Sequence, residues 1–121
     1  MLGVIVFAHG SRDPLWRAPV EAVARRIAER DPGSLARCAY LELTEPDLPT
    51  VARDMVGAGV KHVRVLPLFF GMGKHAREDL PELMQALRRD HPGVVFDQLP
   101  TAGEDPLLID LLATQALKVR P

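Results

Sequence analysis

At 121 residues the chain has room for one domain with a real core and not for two, so positions 1–121 read as a single unit. Its 47% hydrophobic and 26% charged residues suit a globular protein, and a formal net charge of -1 argues against nucleic acid or an anionic membrane as partner. No apolar run approaches the roughly 20 residues that span a bilayer, no basic segment leads into a longer apolar one as in a secretory signal, and a lone cysteine excludes an intrachain disulfide. The expected location is the cytoplasm, with Cys38 buried and inert.

The first element, Leu2 to Ala8, is continuously apolar and partly β-branched, as a strand covered on both faces should be. Asp13 then caps a helix with Pro14 in its first turn, and Val20, Val23, Ala24 and Ile27 form its apolar face. Pro32-Gly33 ends that helix, and Ala36 to Leu43 reads as a second strand with Glu42 near its end. A second helix buries Leu48, Val51, Ala52 and Met55 and closes at Gly57 and Gly59. Val63 to Phe69 is the third strand. Because proline suits only a first helical turn, Pro81 places the start of the third helix near Asp79, its cap, and leaves Phe70 to Glu78 as a loop carrying His75. Leu80, Leu83, Met84 and Leu87 are that helix's buried face; Val94 to Leu99 is a fourth strand, and a last helix starts near Asp105.

Strands alternating with helices at this spacing specify a single-domain, three-layer α/β fold: four parallel strands flanked by helices, with the flavodoxin-like order 2-1-3-4. Loops after parallel strands gather at the carboxyl edge of the sheet, where such folds bind ligands. His9 follows strand one, His75 follows strand three and Glu42 ends strand two, so two imidazoles and a carboxylate share that edge. They suit a divalent transition metal with coordination positions left open. Taken singly, His9 reads first as a turn residue beside Gly10 and Ser11, and for Glu42 a solvated carboxylate or helix cap is the simpler reading. His62 and His91 fall at the opposite edge and are assigned structural roles, His62 as a solvated strand start. Arg12, Lys74 and Arg77 have the chemistry to hold carboxylates, although charged loop residues are ordinarily just solvated.

The stretches His9-Gly10-Ser11-Arg12, Tyr40-Leu41-Glu42 to Pro46, and Gly73-Lys74-His75-Ala76-Arg77-Glu78-Asp79-Leu80-Pro81 resemble, in order and spacing, the class II chelatases, within them the short sirohydrochlorin cobaltochelatases and ferrochelatases. The resemblance spans nearly the whole chain. It implies an enzyme that inserts a divalent metal (Co²⁺, Fe²⁺ or Ni²⁺) into sirohydrochlorin for cobalamin, sirohaem or related tetrapyrroles, without an organic cofactor. It makes His9 and His75 the catalytic, metal-binding histidines and Glu42 a third metal-binding or proton-handling group. Arg12, Lys74 and Arg77 become candidates for the substrate's carboxylates. Lys74 departs from expectation, since its charge repels a cation beside His75 unless it turns to substrate. Leu68, Phe69, Phe70 and Met72 are either walls for the macrocycle or core. Larger relatives hold two such domains around a cleft, which implies a homodimer here. The alternative is a non-catalytic tetrapyrrole or metal carrier using the same histidines; a phosphotransfer domain lacks its expected loops.

Overall fold

The computed structural model describes residues 1–119. Its elements are β1 (Leu2–Ala8), α1 (Ala18–Arg30), β2 (Leu35–Tyr40), α2 (Leu48–Gly57), β3 (His62–Pro67), α3 (Lys74–Asp90), β4 (Val95–Gln98) and α4 (Pro106–Leu117). Short 3-10 turns at Pro14–Arg17 and Ala102–Glu104 precede α1 and α4. All strand pairs are parallel and the order is β2-β1-β3-β4, the flavodoxin-like order expected. The central strand explains its own composition: from Gly3 to Ala8 every residue of β1 is buried, because helices cover both of its faces.

Alternation sorts the sheet into two faces. On one, Ile5, Phe7, Val63, Val65 and Phe96 pack beneath α2 and α3 through Leu48, Val51, Met55, Leu80, Met84 and Leu87, forming the larger core. Gly3 is needed there because a Cβ would lie 2.8 Å from the Met55 sulfur. On the other face Val6, Ala8 and Tyr40 meet Val20, Val23, Ala24 and Ile27 of α1. Burying side chains of this size stabilises by about 1.5–3 kcal/mol each, so these two cores hold the layers together against chain entropy.

Local chemistry sets the helix starts. Asp13, Asp47 and Asp105 each accept a backbone N–H in the first turn of the segment that follows, and prolines occupy the early positions where an N–H has no partner to lose. Asp13 caps the 3-10 turn rather than α1 itself.

Two expectations are corrected. α3 begins at Lys74 with Gly73 as its cap, so His75 lies in the first helical turn and Asp79 lies inside the helix. Pro81 sits within α3, and its ring leaves the Arg77 carbonyl without the usual i+4 donor. Ala76 and Leu80, on the stripe continued by Met84 and Leu87, are buried, and that continuous packing outweighs one lost backbone bond. β2 ends at Tyr40 rather than Leu43, because Leu43 takes a φ of 69°, outside the extended region. Glu42 therefore stands on a loop. β1 keeps its expected bounds, and the remaining strand ends shift by one or two residues.

Candidate metal and tetrapyrrole site

The chain after β1 and the chain after β2 remain joined beyond the sheet. Leu41 N–H donates to the Ala8 carbonyl at 2.9 Å, and Glu42 N–H donates to the His9 carbonyl at 3.0 Å. Gly10 makes this approach possible: its φ is +107°, and a Cβ there would fall 1.8 Å from the Glu42 carbonyl oxygen. The β2 loop then returns, with Tyr40 N–H donating to the Pro46 carbonyl at 2.9 Å. This loop carries Glu42 toward the carboxyl end of the central strand.

The result is a side-chain pair. His9 Nε2 lies 3.0 Å from Glu42 Oε1, with the two side chains 49% and 47% exposed. A carboxylate on one ring nitrogen orients the imidazole and leaves the other nitrogen to carry a lone pair outward. His75 reaches the same place from α3: a cavity of about 330 Å³ is lined by His9, Phe69, Gly71, Gly73, Lys74, His75 and Ala76. Thus His9 pairs directly with Glu42 and shares a cavity with His75. Among the described residues no three His, Cys, Asp or Glu side chains stand close enough to enclose a metal, so the site is an open dyad with a second histidine across the cavity.

The helical position of His75 changes the reading of its neighbours. Gly73 supplies no side-chain cap, so the first N–H groups of α3 have no capping acceptor, and the positive end of the helix dipole lies at the cavity. Lys74 belongs to this electropositive rim, which suits anionic groups. Arg12 and Arg77 are exposed and do not line the cavity. Phe69 is buried in the large core while also lining the cavity, Phe70 is 71% exposed, and Leu68 and Met72 are partly covered. Core and wall are therefore divided residue by residue. Gly73 and Gly10 position the site without contributing a reactive group; the cue for Gly10 was its place between a strand-ending histidine and a turn, whereas Pro81 concealed Gly73 as a cap.

The other histidines stand apart. His62 is not simply solvated: its Nε2 meets the Asp97 carboxylate, which Arg64 also binds through Nε at 3.0 Å. The Arg64 guanidinium holds the Asp97 carboxyl below its ordinary range, and the His62 contact acts in the same direction. His91 caps the end of α3 with its ring 5.9 Å from that of Phe96. Cys38 is only partly buried, its thiol pKa raised by desolvation. A raised pKa keeps it protonated and poorly nucleophilic.

A family model, CbiX, matches residues 3–119. The chain belongs to the CbiX family. Among its relatives, the sirohydrochlorin cobaltochelatase of Methanococcoides burtonii is 28% identical over 98% of this chain and 96% of its own length. The enzyme of the same name from Methanosarcina acetivorans is 27% identical, over 92% of this chain and 91% of its own. A crystal structure of a CbiX protein from Marinobacter aquaeolei superposes with a TM-score of 0.77 at 32% identity, covering 97% of this chain and 98% of that one. The fold also matches the sirohydrochlorin chelatase SirB of Bacillus subtilis subspecies spizizenii in complex with cobalt, with a TM-score of 0.79 at 22% identity. This CbiX-family chain covers 95% of its own length in that match and 49% of SirB.

Proposed function

We propose that this CbiX-family protein is a chelatase that inserts a divalent metal, cobalt or iron and by extension nickel, into sirohydrochlorin. The observation that carries the reading is the His9–Glu42 pair opening onto the cavity that His75 also lines. Its relatives' names supply the substrate class, and the site supplies matching chemistry. Insertion requires two pyrrole N–H protons to leave while the metal arrives. Histidine can coordinate a metal or accept a proton near neutrality, and two histidines facing one cavity divide those tasks between them. Glu42 fixes the ring of His9 and accepts positive charge from it, whether proton or metal. Lys74 and the N-terminus of α3 hold the macrocycle's peripheral carboxylates; Arg12 and Arg77 meet those farther out. Phe70 and Met72 offer apolar contact to its flat face. No organic cofactor enters this scheme. The working unit is a homodimer in the cytoplasm, each chain a single domain.

Anaerobic absorbance spectroscopy with sirohydrochlorin and Co²⁺, Fe²⁺ or Ni²⁺ tests it. The expected outcome is conversion to the metallated spectrum over many turnovers. Binding without conversion would leave a carrier in place of an enzyme.

A further inference from the structure

Glu42 is presented by a turn that its own residues do not favour. Thr44 N–H donates to the Glu42 carbonyl at 2.9 Å across Leu43, whose φ is 69°. A bond from one residue to the next but one, closed about a left-handed centre, is the rare and strained form of the γ-turn, and leucine gains nothing by standing there. Packing does not hold it either, because Leu43 is 50% exposed. The side chain that reaches this turn from elsewhere is Arg17, the last residue of the 3-10 turn before α1. Its Nη1 donates to Thr44 Oγ1 at 3.2 Å, a partly buried contact across 27 positions of sequence. Arg17 stands on a fixed base: the Asp13 side chain accepts the Leu15 N–H, and the Trp16 ring lies 6.1 Å from that of Tyr40 at the end of β2.

Arg17 is a poor choice for packing alone. Its Nε is buried with no hydrogen-bond partner among the described residues, a desolvation cost that an apolar side chain of similar length would avoid. Nor does it line the cavity of His9 and His75, so whatever it does there it does through the loop. We infer that Arg17 is a positioning residue for the metal-binding carboxylate: by way of Thr44 it holds the Glu42-Leu43-Thr44 turn in the shape that sets Glu42 Oε1 3.0 Å from His9 Nε2. This rests on the metal role proposed for Glu42. The backbone bond from Glu42 N–H to the His9 carbonyl anchors the chain before the turn, and Arg17 anchors it after. Without the second anchor Leu43 relaxes to a negative φ, and the carboxylate loses its fixed distance from the imidazole.

The test is a double-mutant cycle on the binding of Co²⁺ alone, read by titration, with urea denaturation alongside. Arg17→Met keeps the length of the side chain and removes its donors. It is expected to weaken Co²⁺ binding roughly 3–10-fold, the weight of one hydrogen bond, while the urea midpoint stays level or rises as the unpartnered Nε is lost. In a Glu42→Ala background, where there is no carboxylate to position, the same substitution is expected to change Co²⁺ binding less than about 2-fold. An equal loss in both backgrounds overturns the inference, because Arg17 then acts on the fold at large. Thr44→Val should reproduce the loss and Thr44→Ser should restore binding; two serine-like or two valine-like results overturn it as well. If Glu42→Ala weakens binding and Arg17→Met does not, only the positioning role falls. If Glu42→Ala binds Co²⁺ as the wild type does, the metal role of Glu42 falls and the positioning role with it.

Discussion

At the scale of single residues, two kinds of side chain set the site: those that react and those that make room. Replacing His9 or His75 by alanine is expected to lower metal insertion by roughly 10²–10⁴-fold, the range for a lost acid–base or ligand group, with thermal unfolding little changed because His9 is half-exposed and His75 is on the surface. Steady-state absorbance assays on both variants check this, and turnover like that of the wild type in either would remove that residue from the mechanism. Glu42→Gln keeps the shape but removes the charge behind His9, so a milder loss of about 10–100-fold in metal affinity is expected from titration. Gly10→Ala should instead act on folding. Its φ of +107° and the Glu42 carbonyl 1.8 Å from any Cβ cost on the order of 3 kcal/mol, measurable by urea denaturation. His9 was legible in the sequence because a polar residue ending a wholly apolar strand can only emerge at the carboxyl edge. The pairing with Glu42 was not, since it depends on the left-handed backbone of Gly10 and on a β2 loop that leaves the sheet early.

At the scale of elements, the strands and helix faces followed from periodicity because each apolar stripe meets one layer and no other. Pro81 misled for a physical reason: the rule against proline inside a helix weighs one backbone bond, and the packing of Ala76 and Leu80 is worth more. The bond is nevertheless missing. Pro81→Ala restores a donor for the Arg77 carbonyl and is expected to raise stability by about 1–3 kcal/mol in denaturant titrations, with α3 intact by circular dichroism. β2 carries a different signature. Burial at its end, with the Trp16 ring 6.1 Å away, pushes the Tyr40 phenol up to about 12. The folded chain then holds that proton more tightly than the unfolded chain, whose tyrosine ionises near roughly 10. Its contribution is fully present below the lower value and is lost as pH rises through the upper one, so stability falls across that alkaline window. Urea midpoints measured on either side of it should show the decline, and Tyr40→Phe should flatten it.

At the scale of the whole molecule, the fold was readable because four strands joined by helices permit few topologies, whereas the placement of α4 was not. A hydropathy pattern says that a segment wants covering without saying by what. Gly103 fixes where α4 leaves the body, through its contact with the loop after β3, distant in sequence and silent in composition. The homodimer proposed above predicts that activity per chain falls on dilution, a trend that initial rates over a protein dilution series would show. The half-open His9–Glu42 pair has its own consequence. A nitrogen and an oxygen on an unenclosed surface impose no radius and no coordination number on the ion they meet, and affinity then follows the intrinsic ranking of the metals, with copper above cobalt and iron. Fidelity must come from outside the polypeptide. Which ion ends in the macrocycle is set by what the surroundings leave free, so the same chain supplied with another metal would yield another product.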